Sequence, residues 1–189
     1  MRVLIAAESF LPAVNGVTNS VLRILDHLDR TGHHAAVIAP APGPTAVTLP
    51  SGTVVAVERV PGLAVPNYRP LTVGVATDRR IAKIIDGFRP DVVHLAAPVV
   101  LGQKVGRVAE RLGVATVALF QTDLAGFASS YHLGLTSSSV WRWLRRLHNR
   151  ADLTLAPTGG MAAVLRGQGF RRVGVWGRGV DHAQFNGSR

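Results

Sequence analysis

The chain has no cysteine among its 189 residues, which excludes disulfides, thiolate catalysis and cysteine-built zinc sites. Acidic residues are scarce too, 11 against 21 lysines and arginines, for a formal charge of +10. Aromatic residues make up 6% and form no stacking motif, which counts against nucleic acid as a partner. No window approaches the roughly 18 consecutive apolar residues of a spanning helix. The apolar run after Arg2 stops at Glu8, with no small-residue cleavage site behind it. A cytoplasmic domain is therefore expected. Several catalytic signatures are missing as well. There is no G-x-S-x-G elbow and no G-x-x-x-x-G-K-[ST] phosphate loop. The histidines show no metal spacing: His33 and His34 are adjacent and point to opposite faces of a strand, while His27, His132, His148 and His182 are scattered. His94, inside an apolar run, is expected to be a hydrogen-bonded core residue. No metal site is predicted.

What remains is a globular composition, 47% hydrophobic and 17% charged, in a length that suits one well-filled domain. The first thirty residues set the pattern. Val3 to Ala7 reads as a buried strand, and the loop with Pro12, Asn15 and Gly16 feeds a helix. Val17, Val21, Ile24, Leu25 and Leu28 recur there at helical spacing, and Gly32 is the expected C-cap. Further strands are predicted at His34 to Ala39, Thr53 to Val57, Val92 to Leu95, Val114 to Phe120, Leu153 to Ala156 and Val173 to Val175. Helices are predicted through Ile81, Ile84 and Ile85 (ended by Gly87 and Pro90), from Val99 to Leu112, from Trp141 to Arg150, and from Gly160 to Gln168. The Pro/Gly-rich connector from Ala39 to Gly52 and the segment from Arg59 to Pro70 read as loops.

Strands alternating with helices imply an α/β fold: a Rossmann-like, doubly wound parallel sheet of about seven strands with helices on both faces. Ligands of such sheets bind beyond the carboxyl ends of the strands. The first turn offers phosphate a helix N-terminus, but one glycine, Gly16, is not the G-x-G-x-x-G of a dinucleotide site. The second strand also ends in Ala39 and Pro40 rather than an acid for the ribose. Glu8 and Asp123 are the acids expected near the strand tips, so the domain carries little bond-making machinery of its own.

The basic run from Trp141 to Arg150 places Val140, Leu144, Leu147 and Ala151 on one helical face and its arginines towards the other. Trp141, Arg142, Arg145 and Arg146 fit an interfacial helix touching anionic lipid headgroups; an ordinary amphipathic helix with solvated arginines fits the same pattern.

Five segments occur in a telling order: ESFLPAVNGV after strand one, GHHAAVIAP, RPDVVHLAAP, FQTDLAGFASSYHLG and WGRGVDHAQF. Together they resemble the N-terminal domain of the retaining family-four glycosyltransferases of GT-B fold. The likeness runs toward actinobacterial GDP-mannose-dependent α-mannosyltransferases acting on glycolipid acceptors. The resemblance implies that Asn15, Gly16 and Val17 form the turn at the donor diphosphate. It implies that Gln121, Thr122 and Asp123 face the transferred sugar and acceptor, although many relatives carry histidine where this chain has Gln121. Tyr68 and Arg69 fall on the loop used around the acceptor, and Glu8, Tyr131 and Arg178 belong to the same sugar and acceptor set.

By the same resemblance, residues 1–181 form the acceptor-side domain and residues 182–189 begin a linker, and a donor-binding domain with an E-x7-E pattern is absent from this sequence. The implied reaction transfers mannose from GDP-mannose, the sugar nucleotide being a co-substrate and no cofactor or obligatory metal being needed. The implied acceptor is a lipid-linked or other carbohydrate, with peripheral contact to the inner face of the cell membrane. Two alternatives stay open: a non-catalytic Rossmann-like module binding anionic membrane or nucleotide, and a GT-B sugar-nucleotide epimerase.

Overall fold

The computed structural model describes residues 1–65, 68–120 and 137–177. Their central sheet has eight strands. In chain order these are β1 (Arg2–Ala6), β2 (His34–Pro40), β3 (Ala46–Thr48), β4 (Val54–Val60), β7 (Val92–Leu95), β8 (Ala115–Leu119), β9 (Leu153–Ala156) and β10 (Val173–Val175). A separate two-stranded ribbon pairs β5 (Gly62–Val65) with β6 (Tyr68–Gly74). The helices are α1 (Gly16–Arg30), α2 (Asp78–Phe88), α3 (Leu101–Arg111), α4 (Ser137–His148) and α5 (Gly159–Gly167). The sheet order is β10-β9-β8-β7-β1-β2-β4-β3, parallel throughout except for β3.

The seven parallel strands are the seven that the sequence pattern predicts, each within a few residues. Three antiparallel strands were not expected. β3 lies in the Pro/Gly-rich connector, and β5 and the start of β6 lie in the segment from Arg59 to Pro70 read as a loop, which is a correction to both. The physical reason is that a sheet edge or a two-stranded ribbon leaves outward N–H groups unpaired, so proline is tolerated there. The ribbon also breaks register between Ala64 and Val65.

Strand alternation divides the core. Leu4, Ala6, Ile38, Val93 and Leu95 pack under Ile81 and Ile85 of α2 and Leu101, Val105 and Val108 of α3. Val3, Ile5, Val37 and Val57 face the other way, against Val21 and Leu25 of α1. Each such fully buried aliphatic side chain contributes about 1.5–3 kcal/mol. Helix ends follow local chemistry. The Asn15 side chain accepts from the amides of Val17 and Thr18, Thr77 caps α2 and Thr158 caps α5. Gly32 takes the left-handed backbone just beyond α1. α2 runs through Gly87 and stops at Arg89, left-handed at φ 49°, in front of Pro90.

α3 has no side-chain cap of its own. Its cap arrives from β1. Glu8, only 4% exposed, accepts from Val100 N–H at 2.5 Å, from Leu101 N–H, and from Gly102 N–H at 3.3 Å, all on Oε1. Its Oε2 accepts from Gly74 N–H at 3.2 Å. One carboxylate thus joins the tips of β1 and β6 to the start of α3. A side chain on Gly74 would collide with Leu101, and one on Gly102 with the Ala97 carbonyl, so both glycines serve this close approach.

A third cluster gathers Phe120, Val140, Leu144, Ala162, Leu165 and Phe170 under α4 and α5. Trp141 packs against it, stacked on Phe120 at 6.3 Å and edge-on to Phe170 at 6.1 Å. Its expected place at a membrane surface is therefore corrected: the tryptophan on the exposed face of α4 is Trp143, 39% exposed. His148 sits in the same cluster, 3% exposed, with Nδ1 3.3 Å from Thr154 Oγ1. His94 is buried as expected, but its Nε2 has no hydrogen-bond partner among the described residues, and Trp176 meets its ring edge-on at 6.2 Å. Burial pushes both histidines down to about 4.

Two outcomes follow for stability. The unfolded chain protonates both histidines near pH 6.5 while the folded chain resists until about pH 4, so stability is full above 6.5 and falls as the pH drops toward 4. The expected loss is about 3 kcal/mol per histidine, and His148→Phe should remove close to half of it in urea titrations at a series of pH values. Glu8→Ala leaves four amides without an acceptor. It should cost about 3 kcal/mol in the same titrations at neutral pH, and a loss under about 0.5 kcal/mol would show that water replaces the carboxylate.

Candidate functional site

The strand order turns at β1, which lies between β2 and β7. The crevice beyond the carboxyl ends of these strands is where a doubly wound sheet presents a ligand site. The β1–α1 loop crosses this crevice and is held by its own polar side chains. Asn15 Oδ1 accepts from Val17 and Thr18 N–H, both at 3.0 Å, and Asn15 Nδ2 donates to Ser9 Oγ at 2.6 Å. Thr18 Oγ1 donates to the Ala13 carbonyl at 2.8 Å. Asn and Ser suit this task because short side chains reach neighbouring backbone without long rotamer searches.

A recess opens on each side of that loop. One, about 480 Å³, runs along α1 past Gly16, Asn19, Ser20 and Arg23, with Trp176 and Gly177 as the facing wall. The other, about 170 Å³, lies between Phe10, Pro12 and Ala13 and the segment Pro40, Ala41 and Pro42, with Ser9 and Thr72 at its margin. The two share no lining residue.

Gly16 opens α1 with its backbone outside the left-handed region, and a Cβ built there meets no atom within 4 Å. Neither the turn nor the packing of the described residues calls for glycine at this position. The helix N-terminus there carries partial positive charge, and no acidic residue in the first turn of α1 offsets it. Val17 belongs less to the open site than expected, since its amide is taken by Asn15 and its side chain packs on the core. Gly16 itself lines the larger recess.

Glu8 also departs from its expected role beside sugar or acceptor. Its carboxylate turns inward and both oxygens are engaged by backbone amides. Burial raises its pKa, while the bonds from Gly74, Leu101, Gly102 and Val100 pull it back. Tyr68 and Arg69 open β6 of the ribbon. Gln121, Thr122, Asp123, Tyr131 and Arg178 lie outside the described residues. On α4, Arg142 and Arg146 are exposed beside Trp143, whereas Arg145 donates to the Gln168 carbonyl at 3.3 Å. Among the described residues no three acidic or histidine side chains gather to hold a metal ion, and no helix is long and apolar enough to cross a membrane.

Several lining residues escaped the sequence reading, among them Asn19, Ser20 and Arg23 on α1, and also Trp176 and Thr72. Trp176 follows directly on the strand it closes, inside the motif WGRGVDHAQF, and that position was the available signal. Thr72 carried none, because it lay between the predicted loop ending at Pro70 and the following helix, in a stretch given no element.

Comparison with known proteins fits this geometry. The family model described as Glycosyltransferase Family 4 matches residues 14–184. The chain is 52% identical over 188 residues to a protein named GDP-mannose-dependent alpha-mannosyltransferase from Mycolicibacterium smegmatis; the match covers 98% of this chain and 49% of that protein. This chain thus spans about half the length of such relatives. Among solved structures, an alpha-glucosyltransferase in complex with UDP and DNA superposes with a TM-score of 0.55 at 15% identity, over 97% of this chain and 45% of that one. The UDP-GlcNAc 2-epimerase from Methanocaldococcus jannaschii gives the same TM-score at 14% identity, over 93% and 45%. At those identities the two structures speak for the fold alone. The family model and the extended sequence identity decide the affiliation: this chain belongs to glycosyltransferase family 4.

Proposed function

We propose that this chain is the acceptor-side half of a retaining mannosyltransferase that moves mannose from GDP-mannose to a glycolipid or other carbohydrate acceptor. The observation that carries this reading is the 52% identity, across 98% of the chain, to a GDP-mannose-dependent alpha-mannosyltransferase. Residues 1–181 are the acceptor-side domain and residues 182–189 lead toward the donor-binding half. The fold shared with an epimerase does not favour that alternative, because it comes with 14% identity.

The chemistry of the larger recess supports the donor assignment. Gly16 N–H and the N-terminal end of α1 suit a diphosphate, which is stabilised by oriented amides and by the helix dipole. A glycine that nothing in the packing of the described residues requires is what a closely approaching phosphate would require. Asn15 fixes the loop so that this amide is presented before the ligand arrives. Closure of the second half over the recess would exclude water and bring the donor to the acceptor. The sugar nucleotide is a co-substrate, and no cofactor is invoked.

The exposed face of α4 supports peripheral contact with an anionic membrane. Arg142 and Arg146, one helical turn apart, are exposed with Trp143 on the neighbouring strip of the same helix, an aromatic anchor beside two cations.

Two measurements test these assignments in the full-length protein. Gly16→Leu should lower mannosyl transfer from GDP-mannose about 100-fold, as misplaced reactants do, while the unfolding midpoint stays put. Wild-type protein preferring UDP-glucose or UDP-galactose would overturn the donor, and normal transfer by the variant would overturn the role of Gly16. For the membrane face, Arg142→Glu with Arg146→Glu should abolish pelleting with liposomes rich in anionic lipid. Pelleting equal to wild type rejects the contact.

A further inference from the structure

The smaller recess has its two walls tied together by one side chain. Arg59, near the end of β4, donates from Nε to the Pro44 carbonyl at 2.9 Å, from Nη1 to Pro40 at 2.8 Å and from Nη2 to Leu11 at 2.7 Å. The Phe10 ring centroid lies 5.9 Å from its Cζ. A Cβ on Gly43 would run into the guanidinium and the Leu11 carbonyl, so glycine there lets the connector close on Arg59. The loop after β1 and the connector after β2 are thus held by one planar fork, whose geometry a lysine ammonium cannot reproduce.

The chemistry of the recess limits what it can hold. All three guanidinium nitrogens of Arg59 are committed to carbonyls, and both oxygens of Glu8 are committed to amides. The lining consists of Glu8, Ser9 and Thr72 with walls of proline, alanine and Phe10, and Ser9 Oγ, which accepts from Asn15 Nδ2, keeps its own proton to donate. Its volume of about 170 Å³ is close to the ~150 Å³ of a cavity that admits one benzene ring. That is room for a single six-membered ring, with two hydroxyl-bearing residues in the lining and, among the described lining residues, no uncommitted charge to attract phosphate. The recess also lies across the loop from Gly16, on the side that a donor diphosphate at Gly16 leaves vacant.

We propose that Arg59 is the positioning residue of a subsite for an uncharged sugar ring, the neutral part of the acceptor, between the β1–α1 loop and the β2 connector. Arg59 acts through the walls and does not touch the ring. The assignment rests on the transferase reading above, and its test separates the two. In the full-length protein with octyl α-D-glucopyranoside as acceptor probe, Arg59→Lys should raise the acceptor KM about tenfold while kcat and the donor KM stay within about twofold. Thr72→Val, which keeps the side-chain volume and leaves Arg59 intact, should raise the same KM several-fold. In hydrogen exchange, the amides of Leu11, Ala13, Ala41 and Gly43 should exchange about tenfold faster in Arg59→Lys. Methyl α-D-glucopyranoside should slow them in the wild type and not in the variant. Unaltered exchange at those amides overturns the positioning role. An unchanged KM in Thr72→Val, or tighter binding of glucose 1-phosphate than of the neutral glycoside, overturns the subsite. Wild-type protein that transfers nothing from GDP-mannose overturns the transferase reading, and the exchange measurements still decide the role of Arg59.

Discussion

The buried carboxylate of Glu8 is the constraint on which the ligand-facing edge of this domain depends. α3 begins without a side-chain cap, so its first amides need an acceptor from elsewhere. Glu8 supplies one from the tip of β1, and a negative charge suits a helix N-terminus. Its second oxygen reaches Gly74 at the end of the β5–β6 ribbon. Three elements far apart in the chain are thereby fixed around the turning point of the sheet. Burial of the carboxyl works against its charge and the four amides work for it. The arrangement holds only while all of those partners are present.

Around this anchor the site is built from backbone more than from reactive side chains. The described residues offer a helix N-terminus at Gly16, a loop cross-braced by Asn15, and a second recess whose walls meet at Arg59. Such equipment orients ligands and excludes water; it does not by itself transfer protons or attack bonds. The described residues suit one wall of the two-walled cleft proposed above. That agrees with membership of glycosyltransferase family 4 and with relatives about twice as long.

The arginine-rich character of the chain divides on inspection into different physical roles. Arg59 spends its guanidinium group on backbone carbonyls, and the exposed Arg145 and Arg172 each donate to carbonyls of neighbouring segments. Arg111 pairs with Asp78 at 2.7 Å in an exposed position, a contact of modest worth. The cationic surface that remains on α4 is narrower than the composition suggests: it is the strip of Arg142 and Arg146, bordered by Trp143.

Much of this architecture is legible in the sequence because it is local. Short apolar runs, helical spacing and Gly/Pro punctuation located the seven parallel strands and the unit from β1 through α1, since each signal acts within a few residues. Asn15 and Gly16 stood out for the same reason. The antiparallel strands were hidden, because proline reads as loop until an edge position makes it harmless. Periodicity placed Val140, Leu144 and Leu147 inward, but which tryptophan joined them depended on Phe120 and Phe170 arriving from other elements. Glu8 looked like a ligand contact and became a cap, and Arg59 looked like a loop residue and became a clamp. Sequence by itself determined the order and kind of the elements, because those follow from near neighbours along the chain. Only the tertiary structure decided which polar side chains were left to face a ligand, because it alone brings distant backbone amides and carbonyls within hydrogen-bonding reach.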